Sequence, residues 1–541
     1  MTVAATVAAS LIGGFGAVGV SAAPSSSGAE SSIVKTADGT VRGALSGDVR
    51  SFQAVPFAQA PVGDLRWRAS QPAKPWKGVR DATEPGPACE QGSSGEGYSE
   101  DCLNLNVWTP STASSHSKLP VSVYIYGGAF RSGSSSGYRP VQMVDQGNQL
   151  VVTINYRVGA MGFLTLPQLD SANRTPSGNF GLLDQIQALK WVKKNIAAFG
   201  GDPGRVMIAG QSAGGESTCA LLASPKAAGL FSRVVVESGL TCVQSELKEA
   251  QADDAQFLSL LGCDSGKPAA QVACLRSKTP EEVLAAQSEA GNIWYPATGL
   301  PSLPKQSPVA FAEGDFNQVP VLIGSTANEG AFFIYNSTDG VGKPVTAESY
   351  QADIEATFGD AAPEVLKRYP LSDYSVPGAA EAQMKTDVGF SCATLANAAS
   401  LSKSVPTYVY EFRDATSSSN IDGGPGHGAE LSYLWGTNGT ASLTSAQQAL
   451  SKEMIAYWST FARTRTLTVD GLPTVPRYSA AHPHELAFNA DGSQVVTDEV
   501  SNHQCGFWND FFADTGYPFH FAPGVPLVFP PNAAPPSKHH A

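Results

Sequence analysis

Runs of apolar residues with little polar interruption recur through the middle of this chain. VSVYIYGGAF (121–130) begins as one and breaks on two glycines. LVVTINYRV (150–158), RVMIAG (205–210), FSRVVVESG (231–239), VPVLIGSTANEG (319–330) and TYVYEFR (407–413) repeat the pattern. A strand that is apolar at successive rather than alternate positions is covered on both faces. Between these runs, LLDQIQALKWVKKNIAAF (182–199) has helical spacing, which puts Leu183, Ile186, Leu189, Val192 and Ile196 on one face. A second helix, built of small residues, is expected from Ala213. Strands alternating with helices predict an α/β fold with a large, mostly parallel central sheet flanked by helices. Segments 247–308 and 347–405 read as helix-rich insertions, and no fixed-period repeat interrupts the pattern.

Composition adds a compartment. The first residues, MTVAATVAASLIGGFGAVGVSA (1–22), form an apolar stretch of small residues ending in Val20, Ser21 and Ala22, with no basic start. They are read as a signal peptide cleaved after Ala22, followed by a polar linker (23–32). No other run is long enough to span a bilayer, so stable membrane insertion is not expected. The remainder, 33–530, is read as one domain, with a low-complexity tail at 531–541. Eight cysteines, an even number with no metal-like CxxC pair, fit an exported protein held by disulfides. Cys89 with Cys102 and Cys263 with Cys274 are near enough in sequence to close local loops. The net charge of −13 and the absence of any basic run argue against nucleic-acid binding.

The candidate chemistry centres on VMIAGQSAGGES (206–217). Glycine weakens element interiors, so Gly210, Gly214 and Gly215 make sense only if the backbone turns sharply and something approaches Ser212 closely. Strand, Gly-x-Ser-x-Gly, then helix is the context of a nucleophile elbow. The helix beginning at Ala213 aims its free N–H groups at the same place. A serine hydroxyl needs a base, and the base needs an orienting group. On such a sheet the order is serine, acid, histidine, which excludes His116. His427, His482, His484, His503 and His520 remain, besides the tail pair His539 and His540. His427 is favoured because it lies among glycines in a loop after the strand 407–413, where the crevice of an open α/β sheet lies. Glu329 occupies the same kind of loop after 319–324; Asp422 is its rival. Gly127, Gly128 and Ala129 end a strand and, with Ala213, offer backbone N–H groups for an oxyanion.

At this point the residues resemble the type B carboxylesterase/lipase family of α/β-hydrolases, which includes the cholinesterases. FQAVPFAQAPVGDLRW (52–67), SEDCLNLNVWTP (99–110), YGGAFRSGS (126–134), NYRVGAMGFL (155–164) and the long run from Gly178 to Ser217 match its signatures in order, as do NEGAFF (328–333) and GHGAEL (426–431). The resemblance implies an α/β-hydrolase fold with helical insertions capping the pocket. It implies Ser212 as nucleophile, His427 as base and acid, Glu329 as orienting carboxylate, and Gly128, Ala129 and Ala213 as oxyanion donors. It places Ser238 and Glu430 in a polar network beside the histidine, and matches Arg66 with Glu100 and Arg157 with Asp184 to structural ion pairs. It pairs Cys89 with Cys102, Cys263 with Cys274 and Cys392 with Cys505, which leaves Cys219 with Cys242. It implies a small-molecule ester as partner and no cofactor or metal.

The chain departs from the cholinesterases in one respect. The Cys89–Cys102 loop is short, and Tyr98 is its only aromatic residue, so capture of choline by a tryptophan of this loop is not expected. The expectation is a secreted serine carboxylesterase. A lipase acting on longer acyl chains and a non-catalytic adhesion protein of the same fold are the alternatives. GNIWYPATG (291–299) is a candidate pocket wall, although Trp294 fits a core position equally. The sequons at Asn173, Asn336 and Asn438 add little.

Overall fold

The computed structural model describes residues 32–515, apart from 93–96, 174–175, 292–293, 415–420, 422–423 and 437–442. The segment read as a signal peptide (1–22), most of that read as a linker (23–32), that read as a tail (531–541), and Asp422, Asn438, His520, His539 and His540 therefore lie outside the described residues.

Among the described residues, thirteen strands form the main sheet. They are β1 (Ser32–Lys35), β2 (Thr40–Ser46), β3 (Val49–Pro56), β4 (Val79–Asp81), β5 (Asn104–Pro110), β6 (Leu119–Ile125) and β7 (Leu150–Ile154). They continue with β8 (Gly201–Gln211), β9 (Arg233–Glu237), β10 (Val321–Thr326), β11 (Thr407–Phe412), β12 (Glu485–Phe488) and β13 (Gln494–Val496). The order is β1-β2-β3-β5-β7-β6-β8-β9-β10-β11-β12-β13, with β4 beside β2. From β7 to β12 every neighbouring pair is parallel; β5 and β13 join that block antiparallel.

The apolar runs account for the centre. Every residue of β7, β9, β10 and β11 is buried, as expected of strands sandwiched between helices. The outer β1 and β2 show mixed burial and pair antiparallel. The helices that matter below are α1 (Phe180–Asn195), α2 (Ala213–Ala223), α3 (Glu329–Ser337), α4 (Ser445–Thr464) and α5 (Cys505–Thr515).

Helix α1 buries more than the expected stripe. Leu183 is only partly covered, whereas Leu182, Asp184, Gln185, Ala188 and Trp191 are buried. The reason is the company of Asp184, whose carboxylate accepts from Arg157 Nε and Nη2, both at 2.8 Å, and from the Arg157 backbone N–H. A buried carboxylate held by a guanidinium can lie inward where an unpaired one could not. Arg66 likewise grips Glu100 through two hydrogen bonds, of 2.6 and 2.5 Å.

The first insertion contains helices Leu247–Leu260, Pro268–Ser277 and Pro280–Ala290. The second contains Ala347–Phe358, Ala362–Arg368, Pro377–Thr386 and Cys392–Leu401. Trp294 is buried edge-on against Phe257, with ring centroids 5.2 Å apart, so it belongs to the core of the first insertion. Four disulfides join Cys89 to Cys102, Cys219 to Cys242, Cys263 to Cys274 and Cys392 to Cys505. Among the described residues, no helix is long and apolar enough to cross a membrane.

Candidate active site

Strand β8 ends at Gln211, and α2 starts two residues later. Ser212 makes the turn between them with φ 60° and ψ −126°, a conformation that L-residues rarely adopt. Such strain persists only where the surroundings hold it. Here the Ser212 N–H donates to the Glu237 carbonyl on β9 (3.0 Å), and the Ser212 carbonyl accepts from Glu216 N–H (2.9 Å). The turn also demands small neighbours. A Cβ on Gly214 would stand 2.0 Å from the Ile125 carbonyl oxygen at the end of β6.

Strand β10 leads into α3, whose first residue is Glu329. Its side chain is fully buried. One carboxylate oxygen accepts from the Thr326 N–H (2.8 Å), and the other is 2.6 Å from His427 Nδ1. The carboxylate acceptor fixes the imidazole proton on Nδ1 and leaves a lone pair on Nε2. His427 follows β11 and is packed by aromatic rings, with Phe333, Phe390 and Phe332 centroids 5.0, 5.3 and 6.0 Å away. Phe332 is 42% exposed. Among the described residues, the hydrogen bond at Nε2 is to Gln211 Nε2 (3.1 Å) rather than to the Ser212 hydroxyl.

After β6 the chain turns through Gly128 (φ 115°), Ala129 (φ 55°) and Phe130 (φ 54°). The Gly128 carbonyl is consumed locally by the N–H groups of Arg131 and Ser132. Among the described residues, no hydrogen bond takes the N–H of Gly128 or Ala129. Ala213, the first residue of α2, has no acceptor within its helix. Three donors thus stand at the ends of β6 and β8, which are adjacent strands.

Behind the histidine lies a store of buried carboxyls. Glu237 accepts from Trp435 Nε1 (3.0 Å) and Trp458 Nε1 (2.8 Å), and burial pushes its carboxyl up to about 7. Burial, then the charges of Glu329 and Glu237, raises Glu430 well above the ordinary carboxylate range. Ser238 is buried at the end of β9, and its N–H donates to the Gly324 carbonyl (2.8 Å).

A family model described as "Carboxylesterase family" matches residues 30–508. The chain belongs to that family. It is a carboxylic ester hydrolase. It is 36% identical to the para-nitrobenzyl esterase of Bacillus subtilis over 458 residues, spanning 80% of this chain and 90% of the relative. It is 32% identical to the human cocaine esterase, over 86% of this chain and 88% of that one. A solved PNB esterase superposes with a TM-score of 0.75 at 33% identity, covering 87% of this chain and 99% of the other.

Of the rival histidines, His116 and His482 are exposed and His484 is half-buried beside the sheet's far edge. His503 is the informative one. It is buried between Asp387 (Nδ1 to Oδ1, 2.7 Å) and Glu411 (Nε2 to Oε1, 2.5 Å). Burial opposes its charge, but hydrogen bonds and attraction to the two carboxylates outweigh that and push the imidazole up to about 10. It ties α5 to the sheet and serves no reacting group. Sequence reading also missed Gln91. Its amide donates to the Gly133 carbonyl (2.8 Å) and accepts from the Gly133 N–H (2.7 Å), fastening the Cys89–Cys102 loop to the glycine loop of the site. Short-range pattern carries no sign of either role.

Proposed function

We propose that the chain is a secreted serine carboxylesterase that works through an acyl-enzyme, with Ser212, His427 and Glu329 as its reacting set. The observation that carries this reading is the 2.6 Å bond from His427 Nδ1 to the buried Glu329 carboxylate. It orients an imidazole whose lone pair faces the end of β8, where the strained Ser212 sits. Catalytic hydrogen bonds are often long or redirected before substrate binds, so the Ser212–His427 bond forms as the ester enters.

His427 takes the Ser212 proton as the oxygen attacks the ester carbonyl. The tetrahedral oxyanion accepts hydrogen bonds from Gly128, Ala129 and Ala213. His427 then gives its proton to the leaving alcohol, and water activated by the same imidazole cleaves the acyl-enzyme. Glu329 keeps the tautomer and stabilises the imidazolium. The carboxyls of Glu237 and Glu430, held toward neutrality by burial, add little negative charge beside that pair. Exposed Phe332 beside His427 offers an aromatic surface to the ester. That suits substrates of the kind for which the Bacillus relative is named. Export accords with the four disulfides, which persist in oxidising compartments.

The test is Ser212→Ala assayed on p-nitrophenyl acetate, with a fluorophosphonate label on the wild type. Hydrolysis is expected to vanish while the thermal unfolding midpoint holds, and the label is expected on Ser212. Retained turnover in the variant refutes the assignment.

A further inference from the structure

Gln211 stands between the strand that delivers the nucleophile and the histidine. It is the last residue of β8 and is 4% exposed. Its carboxamide nitrogen is 3.1 Å from His427 Nε2, while Nδ1 of the same ring is committed to Glu329. The other end of the amide turns toward the glycine loop. A Cβ on Gly127 would be 3.2 Å from Gln211 Oε1, and one on Gly428 would be 3.4 Å from Gln211 Nε2. The amide therefore lies between the glycine loop and the histidine loop, beside the one imidazole atom that gains and loses a proton in the proposed reaction.

The chemistry of that contact depends on the ring's charge. With the proton on Nδ1, Nε2 is an acceptor, and the amide N–H donates to it. Once the ring has taken the serine proton, Nε2 carries a hydrogen, and the two N–H groups oppose each other. A carboxamide answers both states because it has a donor end and an acceptor end, and its terminal torsion is broad and roughly two-fold. A carboxylate answers only the charged ring, and an alkyl side chain answers neither.

We infer that Gln211 is a positioning residue that caps the Nε2 lone pair of His427 in the resting enzyme and turns its amide to accept from the imidazolium during turnover. The inference rests on the proposed reacting set. It gives that set a step: the amide yields the lone pair to the Ser212 hydroxyl when substrate enters, then supports the cation until the proton reaches the leaving alcohol. The ionisable group against the ring is Glu329 on α3, and the buried Glu430, on the histidine's own segment, and Glu237 on β9 lie near enough to one another and to Glu329 to interact electrostatically. All three stay in place when Gln211 alone is changed.

The experiment is a pH–rate profile of Gln211→Glu and Gln211→Leu with p-nitrophenyl acetate, alongside fluorophosphonate labelling of each protein. In the Glu variant a carboxylate beside Nε2 favours the charged ring, so the acid limb of kcat/KM moves about one pH unit or more toward alkali. In the Leu variant the imidazolium loses its acceptor. There kcat falls roughly tenfold to a hundredfold with KM within about twofold. Two foldable variants of opposite polarity guard against one that fails to fold. If Ser212 labels normally but the Glu profile does not move and the Leu kcat is unchanged, the role of Gln211 is overturned and the reacting set survives. If wild-type Ser212 does not label, both fall.

Discussion

His503 carries the buried positive charge most open to a direct test. The perturbation is His503→Gln, which leaves Asp387 and Glu411 facing each other without the cation between them. Removing one partner of a buried ionic cluster costs about 3–5 kcal/mol. The pH dependence gives a second figure. The imidazole is held up at about 10 in the folded chain, against about 6.5 when unfolded. A group raised on folding contributes its full stability below the unfolded value and loses it as pH climbs through the folded one. At about 1.4 kcal/mol per pH unit, the window from 6.5 to about 10 is worth on the order of 5 kcal/mol. The assay is urea unfolding of wild type and variant at pH 7 and pH 10, followed by tryptophan fluorescence. The gap between the two proteins is expected to be several kcal/mol at pH 7 and to close toward pH 10. Lysines and tyrosines titrate in both proteins alike and cancel in the difference. A gap that is absent at pH 7, or that stays constant to pH 10, refutes the reasoning. Because His503 touches no reacting group, kcat at 20 °C or so should survive the change.

Two further outcomes are expected. Gly128→Ala puts a Cβ 2.3 Å from the Ser132 carbonyl oxygen at a φ of 115°, so the glycine loop must shift. Steady-state kinetics on a small aryl ester should show kcat down by about 10²–10³, and an unchanged kcat would remove Gly128 from the oxyanion site. Replacing Cys392 and Cys505 together by alanine opens a link across 113 residues. Chain entropy puts the loss at about 4–5 kcal/mol, readable as a lower thermal midpoint, whereas an unshifted midpoint would mean the bridge adds nothing.

The parallel core was legible because its strands are covered on both faces, so β6, β7, β9, β10 and β11 show as mostly apolar runs with little polar interruption. The turn at Ser212 was legible because close backbone approach admits only glycine at Gly214, and glycine shows in a sequence. Burial of mixed kind is harder to read. β1 and β2 sit at the sheet's edge and blend into the surrounding loops. Long-range polar partnership is invisible in one dimension. His503 meets Glu411 across 92 residues and Asp387 across 116. Gln211 lies within the serine motif itself, yet what it touches is 216 residues away. The same holds for Glu237, whose place at the end of an apolar run gives no hint of two indole partners.

Strand pitch acts as a ruler for this enzyme. β6, β8, β9, β10 and β11 lie side by side in that order and point the same way. Neighbouring strands are about 4.8 Å apart, so the carboxyl edge of the sheet spaces the segments carrying Gly128, Ser212, Glu329 and His427 before any side chain is chosen. The helical excursions between Leu247 and Pro308 and between Ala347 and Val405 hang off that ruler without setting its graduations. The second excursion nonetheless reaches back to that edge, where the Phe390 ring packs 5.3 Å from His427, so exchanging it is expected to change the surface around the imidazole while the strand spacing stays the same.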